Sequence, residues 1–236
     1  MSIVRKYPAG RMLGGTGTLL GPSQHAQFDM VVEFLKKYLP QFAENVLNAD
    51  ILNENGLNSL LSRFITNAAS QEIFFAERES MEDETRGNSP AVDIGIYLKV
   101  DDVGIDPPLI TGFEGKRLTS KLSSKRRREY VIGHEKDGKH IQCGGIERYK
   151  LAIHGGKLHH AGMIGYLQDG TPDSWEEKVN AWICELCSQP SNDPTWSERE
   201  KLMPQKNNGR VAEYSSIVER IDSSLHLTHL WIDLAG

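Results

Sequence analysis

Apolar residues recur along the chain at two spacings, one helical and one alternating, and together they divide it into elements. From Gln27 to Leu39, the residues Phe28, Val31, Val32, Leu35 and Leu39 fall on one helical face, which predicts an amphipathic helix. Pro40 has no N–H to continue the ladder and is expected to end it. Glu54 to about Ala68 repeats the pattern with Leu57, Leu60, Leu61, Phe64 and Ile65. Ile73 to Glu77 predicts a strand, followed by a charged loop from Glu79 to Gly87. Ala91 to Val100 carries the clearest alternation: Val92, Ile94, Ile96 and Leu98 take one face, Ala91, Asp93, Gly95 and Tyr97 the other. Leu109 to Lys116 is the next strand, with Gly112, Glu114 and Lys116 on one face. Beyond it the pattern predicts a helix over Gly145–His154 stopped by Gly155, and a strand over His160–Leu167. A helix then runs to about Leu186, opened by an Asp173-x-x-Glu176 capping box. A last helix over Arg210–Ser223 and a strand over Leu225–Leu234 complete the reading.

Composition changes this picture in three places. The chain has 236 residues and a net charge of −5, so a polyanionic partner must be met by a local basic surface. Three cysteines, Cys143, Cys184 and Cys187, make no even disulfide framework, and reduced thiols are expected. The first residues lack the apolar core of a secretory leader, and no apolar run approaches the roughly 20 residues of a membrane span. A soluble, cytoplasmic chain with no membrane partner is the expectation. Residues 1–23 hold Gly10, Gly14, Gly15, Gly17, Gly21 and Pro22 and are expected to form an arm ahead of one domain over 24–236. Gly14-Gly15-Thr16-Gly17-Thr18 lacks the Gly-Lys-Ser/Thr ending of a phosphate loop, so an arm is preferred there.

The chemistry concentrates on the two central strands. Asp93 and Glu114 lie 21 residues apart, a spacing that suits neighbouring antiparallel strands joined by the 101–108 loop. Such strands lie about 4.8 Å apart, so facing carboxylates can share one cation. Lys116, two residues on, is placed to stabilise developing charge or orient a water. The Gly115 carbonyl between them is a further ligand, and Glu54, opening its helix, is the candidate outer acid. Hydrolysis of a phosphodiester needs this kit: a hard cation, carboxylates to hold it and a fixed positive charge.

Three segments carry a resemblance. Asn53-Glu54-Asn55-Gly56-Leu57, Ser89-Pro90-Ala91-Val92-Asp93 and Phe113-Glu114-Gly115-Lys116-Arg117-Leu118 are similar to the helix acid, strand acid and acid-x-lysine strand of the PD-(D/E)xK, restriction-endonuclease-like superfamily. In this chain Ala91 and Val92 separate the proline from the acid. The resemblance covers roughly residues 50–190. It implies an α/β (α+β) fold with a restriction-endonuclease-like core, a central mixed sheet flanked by helices. It also implies a Mg²⁺-dependent DNA endonuclease in which Mn²⁺ substitutes. A restriction or phage-defence setting follows, with a homodimer or a defence-system partner protein as the assembly. The alternative is a catalytically inactive module on the same fold that binds nucleic acid or a partner.

Further candidates surround this set. Glu77, at a strand end, is a second acid, and Gln168 is a water or phosphate contact. From Lys116 to Arg128 the cations Arg117, Lys121, Lys125, Arg126, Arg127 and Arg128 run without an acid, a pattern suited to salt-sensitive backbone contacts with DNA. A zinc site built from His154, His159 and His160 with Cys143, or with Cys184 and Cys187, is the rival metal reading. Its spacing fits no zinc ribbon, and core thiols are the simpler expectation.

Overall fold

The computed structural model describes residues 22–47, 51, 53–81, 89–100, 107–189 and 194–235. The 1–21 arm with its glycine cluster, and most of the loops expected at 79–87 and 101–108, lie outside the described residues. In chain order the elements are α1 (Gln24–Leu47), α2 (Glu54–Ala68), β1 (Phe74–Met81), β2 (Ala91–Leu98), β3 (Leu109–Leu118), β4 (His134–Lys136), β5 (Lys139–Ile141), α3 (Gly145–Lys150), β6 (His160–Leu167), α4 (Pro172–Cys187), β7 (Met203–Asn208), β8 (Val211–Glu219) and β9 (Ser224–Asp233).

Seven of these strands form one mixed sheet in the order β1-β2-β3-β6-β9-β8-β7, and β4 and β5 pair as a separate hairpin. The central strands β3, β6 and β9 run parallel; the flanking pairs are antiparallel. A parallel sheet interior must be covered on both faces, and the burial pattern of β6 (His160–Leu167), continuous from Ala161 to Leu167, meets that need. On one face Leu35, Phe42, Leu57 and Leu61 of α1 and α2 pack on Ile94, Phe113, Ile164 and Leu230. On the other, Tyr149 of α3 and Trp175, Val179 and Ile183 of α4 pack on Leu118, Met163, Leu227 and Trp231. The architecture is therefore α+β, a mixed sheet between helical layers. Among the described residues no helix is long and apolar enough to cross a membrane.

The structure departs from the sequence reading at five elements. Pro40 does not end α1, because Leu39, Phe42, Ala43 and Val46 continue the buried stripe past it. The Lys36 carbonyl, which a residue with an N–H at position 40 would have bonded, receives the Asn208 side-chain amide at 3.5 Å instead. β1 runs on to Met81, through the segment expected as a charged loop. α3 stops at Lys150 rather than His154, and Ala152 takes φ +54 just beyond it. α4 is capped by Thr171 and Ser174, whose side chains reach each other's backbone N–H at 3.2 and 3.0 Å, with Pro172 at the first helical position. The segment 210–223 is not a helix. It is the strand β8, in which Ala212, Tyr214, Ser216 and Val218 alternate into the sheet.

Candidate functional site

β2 and β3 pair as far as Ile94↔Phe113, and there the ladder stops. Opposed residues of an antiparallel pair share a face. Ile94 and Phe113 both enter the α1/α2 core, so Glu114, one step further along β3, turns to the α3 side, where Arg148 and His154 meet it. Past the last pair the Asp93 carboxylate replaces the ladder: its Oδ2 accepts the Gly115 N–H at 2.8 Å. A strand residue directs its N–H and C=O to the same neighbour, so the Gly115 carbonyl also points toward β2, beside Asp93. Glycine is required at 115 for a separate reason. A Cβ there would lie 2.1 Å from Asn58 Oδ1 of α2, and Asn58 is held in place by the Tyr166 hydroxyl at 2.8 Å.

Glu114 is fully buried beside Lys116, Arg148 and His154. Its Oε1 accepts Lys116 Nζ and Arg148 Nη1, both at 2.9 Å. His154 Nδ1 lies 3.0 Å from Oε2 but off the hydrogen-bonding line, which leaves Oε2 buried without a hydrogen bond. Lys116 also donates to Glu54 Oε1 at 3.1 Å, so the first residue of α2 reaches the same cluster. Four residues of the sequence reading are thus brought together: Lys116 bridges Glu54 and Glu114, and Asp93 joins through Gly115. Arg148 and His154 complete the cluster, and the sequence reading had neither in it. His154 had been placed at a helix end, but it sits in the turn after α3.

The protonation of these groups follows from their neighbours. Burial, and next the Glu114 charge, push the Asp93 carboxyl up to about 6, against the pull of Lys116 and the Gly115 N–H. Burial also pushes Glu114 upward, but Lys116, His154 and Arg148 outweigh it and hold the carboxyl at about 2. Burial likewise opposes the Lys116 charge, yet Glu114, Glu54 and Asp93 together keep the amine above its ordinary value. Around neutral pH the cluster therefore holds Asp93 and Glu114 ionised beside a charged Lys116. The high Asp93 value is first a consequence of burial and second of the Glu114 charge beside it.

This chemistry fits a hard divalent cation. Asp93, Glu114 and the Gly115 carbonyl offer oxygens only, the donor type Mg²⁺ takes along with several waters. Glu114 Oε2 is a buried oxygen still lacking a donor. The space over Gly95 is filled, because a Cβ there would lie 2.5 Å from Ser80 Oγ. The Ser80 hydroxyl bonds Tyr97 at that spot.

The remaining candidates separate. Glu77 is exposed on β1 opposite Gly95, and among the described residues no hydrogen bond or ion pair ties it to the cluster. Gln168 lines a groove with Arg117, Thr119, Lys121, Ser123 and Arg126. The groove's wall is fixed by Asp169, which accepts the Thr119 hydroxyl at 2.6 Å and the Ser120 N–H at 2.9 Å. Within the basic run Lys121, Lys125 and Arg127 are exposed. Arg126 is committed to Glu129 at 2.7–2.8 Å, and Arg128 to Glu185 at 3.0 Å and the Trp182 carbonyl at 3.2 Å.

The rival zinc set does not assemble among the described residues. His154 faces Glu114, and His160 stacks between His25 and His226 with ring centroids 4.4 and 5.2 Å away. Cys184 and Cys187 are free thiols on α4. Comparison with family models, with curated proteins and with solved structures finds no match for this chain.

Proposed function

We propose that the chain is a divalent-cation-dependent endonuclease that hydrolyses phosphodiester bonds of DNA, of the restriction-endonuclease-like kind its motifs resemble. One observation carries the reading: Asp93, Glu114 and Lys116, which the resemblance marks, meet in one charge cluster where β2 and β3 part. Asp93, Glu114 and the Gly115 carbonyl would hold Mg²⁺, or Mn²⁺ in its place. When bound, the cation supplies charge neutralisation at the phosphate and acidifies a water. Lys116 presents a fixed positive charge to the attacking water or the developing charge. Glu54 keeps the Lys116 amine oriented from α2, and Arg148 and His154 keep the buried Glu114 ionised. The exposed Lys121, Lys125 and Arg127 grip the DNA backbone beside this cluster. The restriction or defence setting, cytoplasmic location, and a homodimer or partner protein belong to the same proposal through the resemblance.

A second reading has its own support. Glu114 Oε1 is already held by both Lys116 and Arg148, which suits a silent module that binds nucleic acid or a partner without cutting. Supercoiled plasmid incubated with Mg²⁺ or Mn²⁺ separates the two. Nicking or linearisation that falls on the order of 10²–10³-fold in Asp93→Asn supports the nuclease. Plasmid that binds and stays intact with either ion supports the module.

A further inference from the structure

A second cluster of ligating side chains lies at the foot of the β4–β5 hairpin, built by residues the proposed nuclease chemistry does not use. Glu129 directly follows the basic run, His134 opens β4 and Cys143 follows β5. One donor atom from each lies within 4.8 Å of the others, and this is the one such mixed group among the described residues. His134 Nδ1 stands 3.3 Å from Glu129 Oε1 and 3.4 Å from Cys143 Sγ. In a tetrahedral zinc site, with Zn–N and Zn–O near 2.0–2.1 Å and Zn–S near 2.3 Å, adjacent ligands are about 3.3 Å (N to O) and about 3.6 Å (N to S) apart. The two His134 spacings match these values, and the Glu129 oxygen and Cys143 sulfur lie within 4.8 Å of each other.

The donor chemistry selects the ion. A thiolate with an imidazole favours zinc over the magnesium that an all-oxygen set would take. The surroundings supply the outer support that metal ligands need. Arg126 lies against the Glu129 carboxylate, with Nη2 at 2.7 Å from Oε2 and Nε donating to both oxygens at 2.8 Å, and so fixes the carboxylate whose Oε1 also faces His134. Glu129 is buried, whereas His134 and Cys143 are half-buried, which leaves one side open for a water as fourth ligand. We propose that Glu129, His134 and Cys143 form a zinc site that clips the β4–β5 hairpin to the chain on either side of it. Binding releases the Cys143 thiol proton to solvent as the thiolate takes the metal. The clip bears on the start of α3, since Gly144 and Gly145 follow Cys143 directly and Arg148 lies one turn on. The inference stands on this geometry alone and does not depend on the nuclease reading.

The test uses the full chain purified without a metal-affinity tag, stripped with chelator and titrated with ZnCl₂ or CoCl₂. One zinc per chain is expected, with a thiolate-to-Co²⁺ charge-transfer band in the cobalt form and a higher melting temperature than the stripped protein. Cys143→Ser and His134→Ala should each weaken zinc at least tenfold, and Cys143→Ser should lose the cobalt band. The double variant Cys184→Ser/Cys187→Ser should keep both. The cobalt spectrum is read on the unaltered chain, so the outcome does not hinge on how the variants fold. Substoichiometric zinc with no thiolate band, or full zinc retention in Cys143→Ser/His134→Ala, overturns the site.

Discussion

Asp93 and Glu114 are two carboxylates in one cluster with their affinities for protons pushed apart, to about 6 and about 2. The direction at Asp93 has a consequence for stability. Its folded value lies above the 3.8 of an ordinary aspartate, so the folded chain binds more protons than the unfolded chain between about pH 4 and about pH 6. Stability from this group is present below that window and is lost as pH rises through it. At pH 7.5 without metal, ionised Asp93 therefore weakens the fold. Asp93→Asn removes the titration while its side-chain oxygen can still accept the Gly115 N–H. We expect the variant to gain up to about 3 kcal/mol at pH 7.5 in chelator, discounted for solvent screening, and to gain little at pH 4. Melting temperatures across that range check it; a loss of the same size at both pH values sinks the account. The same proton must leave before a cation binds, so apparent Mg²⁺ affinity should fall about tenfold per unit below pH 6, readable by calorimetry. At this scale the sequence showed the acids and Lys116, because a strand's two-residue period fixes which side chains share a face. It did not show Arg148 or His154. Their link to Glu114 spans 34 residues and 40 residues of chain respectively, and no local pattern signals that a buried carboxylate will recruit them.

Elements with one competing period were legible, and elements with two were not. β2 and β6 alternate or run apolar without a helical match, and both fall where the sequence places them. β8 fits both templates: Val211, Tyr214, Ile217 and Val218 also recur at helical spacing. The deciding signal was the turn before it. Gly209 at φ +58 begins the two-residue loop between Asn208 and Val211, which commits the segment to a hairpin. The β4–β5 hairpin, turned by Asp137 and Gly138 at φ +53 and +72, went unread for the same reason. α1 teaches the converse. Its proline is a strong local stop, but Phe42, Ala43 and Val46 bury enough apolar surface beyond it to override that preference. The strain should be recoverable. Pro40→Ala restores an N–H for the Lys36 carbonyl and is expected to stabilise the chain by about 1–3 kcal/mol, short of the full proline penalty because Asn208 already serves that oxygen. The urea midpoint measures it. Unchanged or reduced stability would mean that a bend at Pro40 is what seats Phe42 against Phe64.

For the whole molecule, the sheet order was beyond sequence reading, because β3, β6 and β9 are adjacent through parallel pairings that only the complete core selects. That order sets where charge is exposed. The chain is acidic as a whole, yet the end of β3 feeds directly into the basic run, beside the groove lined by Arg117, Lys121, Arg126 and Gln168. By sequence the six cations from Arg117 to Arg128 count equally. In the fold Arg117 is half-buried on the groove wall; the other five divide, since Arg126 and Arg128 neutralise Glu129 and Glu185 while Lys121, Lys125 and Arg127 stand exposed. Only the latter group has full charge to offer a phosphate. Each phosphate neutralised adds about 0.9 to the slope of log affinity against log salt on duplex DNA. Binding is best measured on Asp93→Asn, which should hold DNA without cutting it. Replacing Lys121, Lys125 and Arg127 together with alanine should then lower that slope by about 2 to 3, uniformly across DNA sequences. Arg126→Ala and Arg128→Ala should each change it by less than one, and their effect should appear in thermal stability instead. Equal slopes for the triple variant and its parent would remove this face as the route to DNA, and a large slope change from Arg126→Ala would show that the ion pair opens to meet the phosphate.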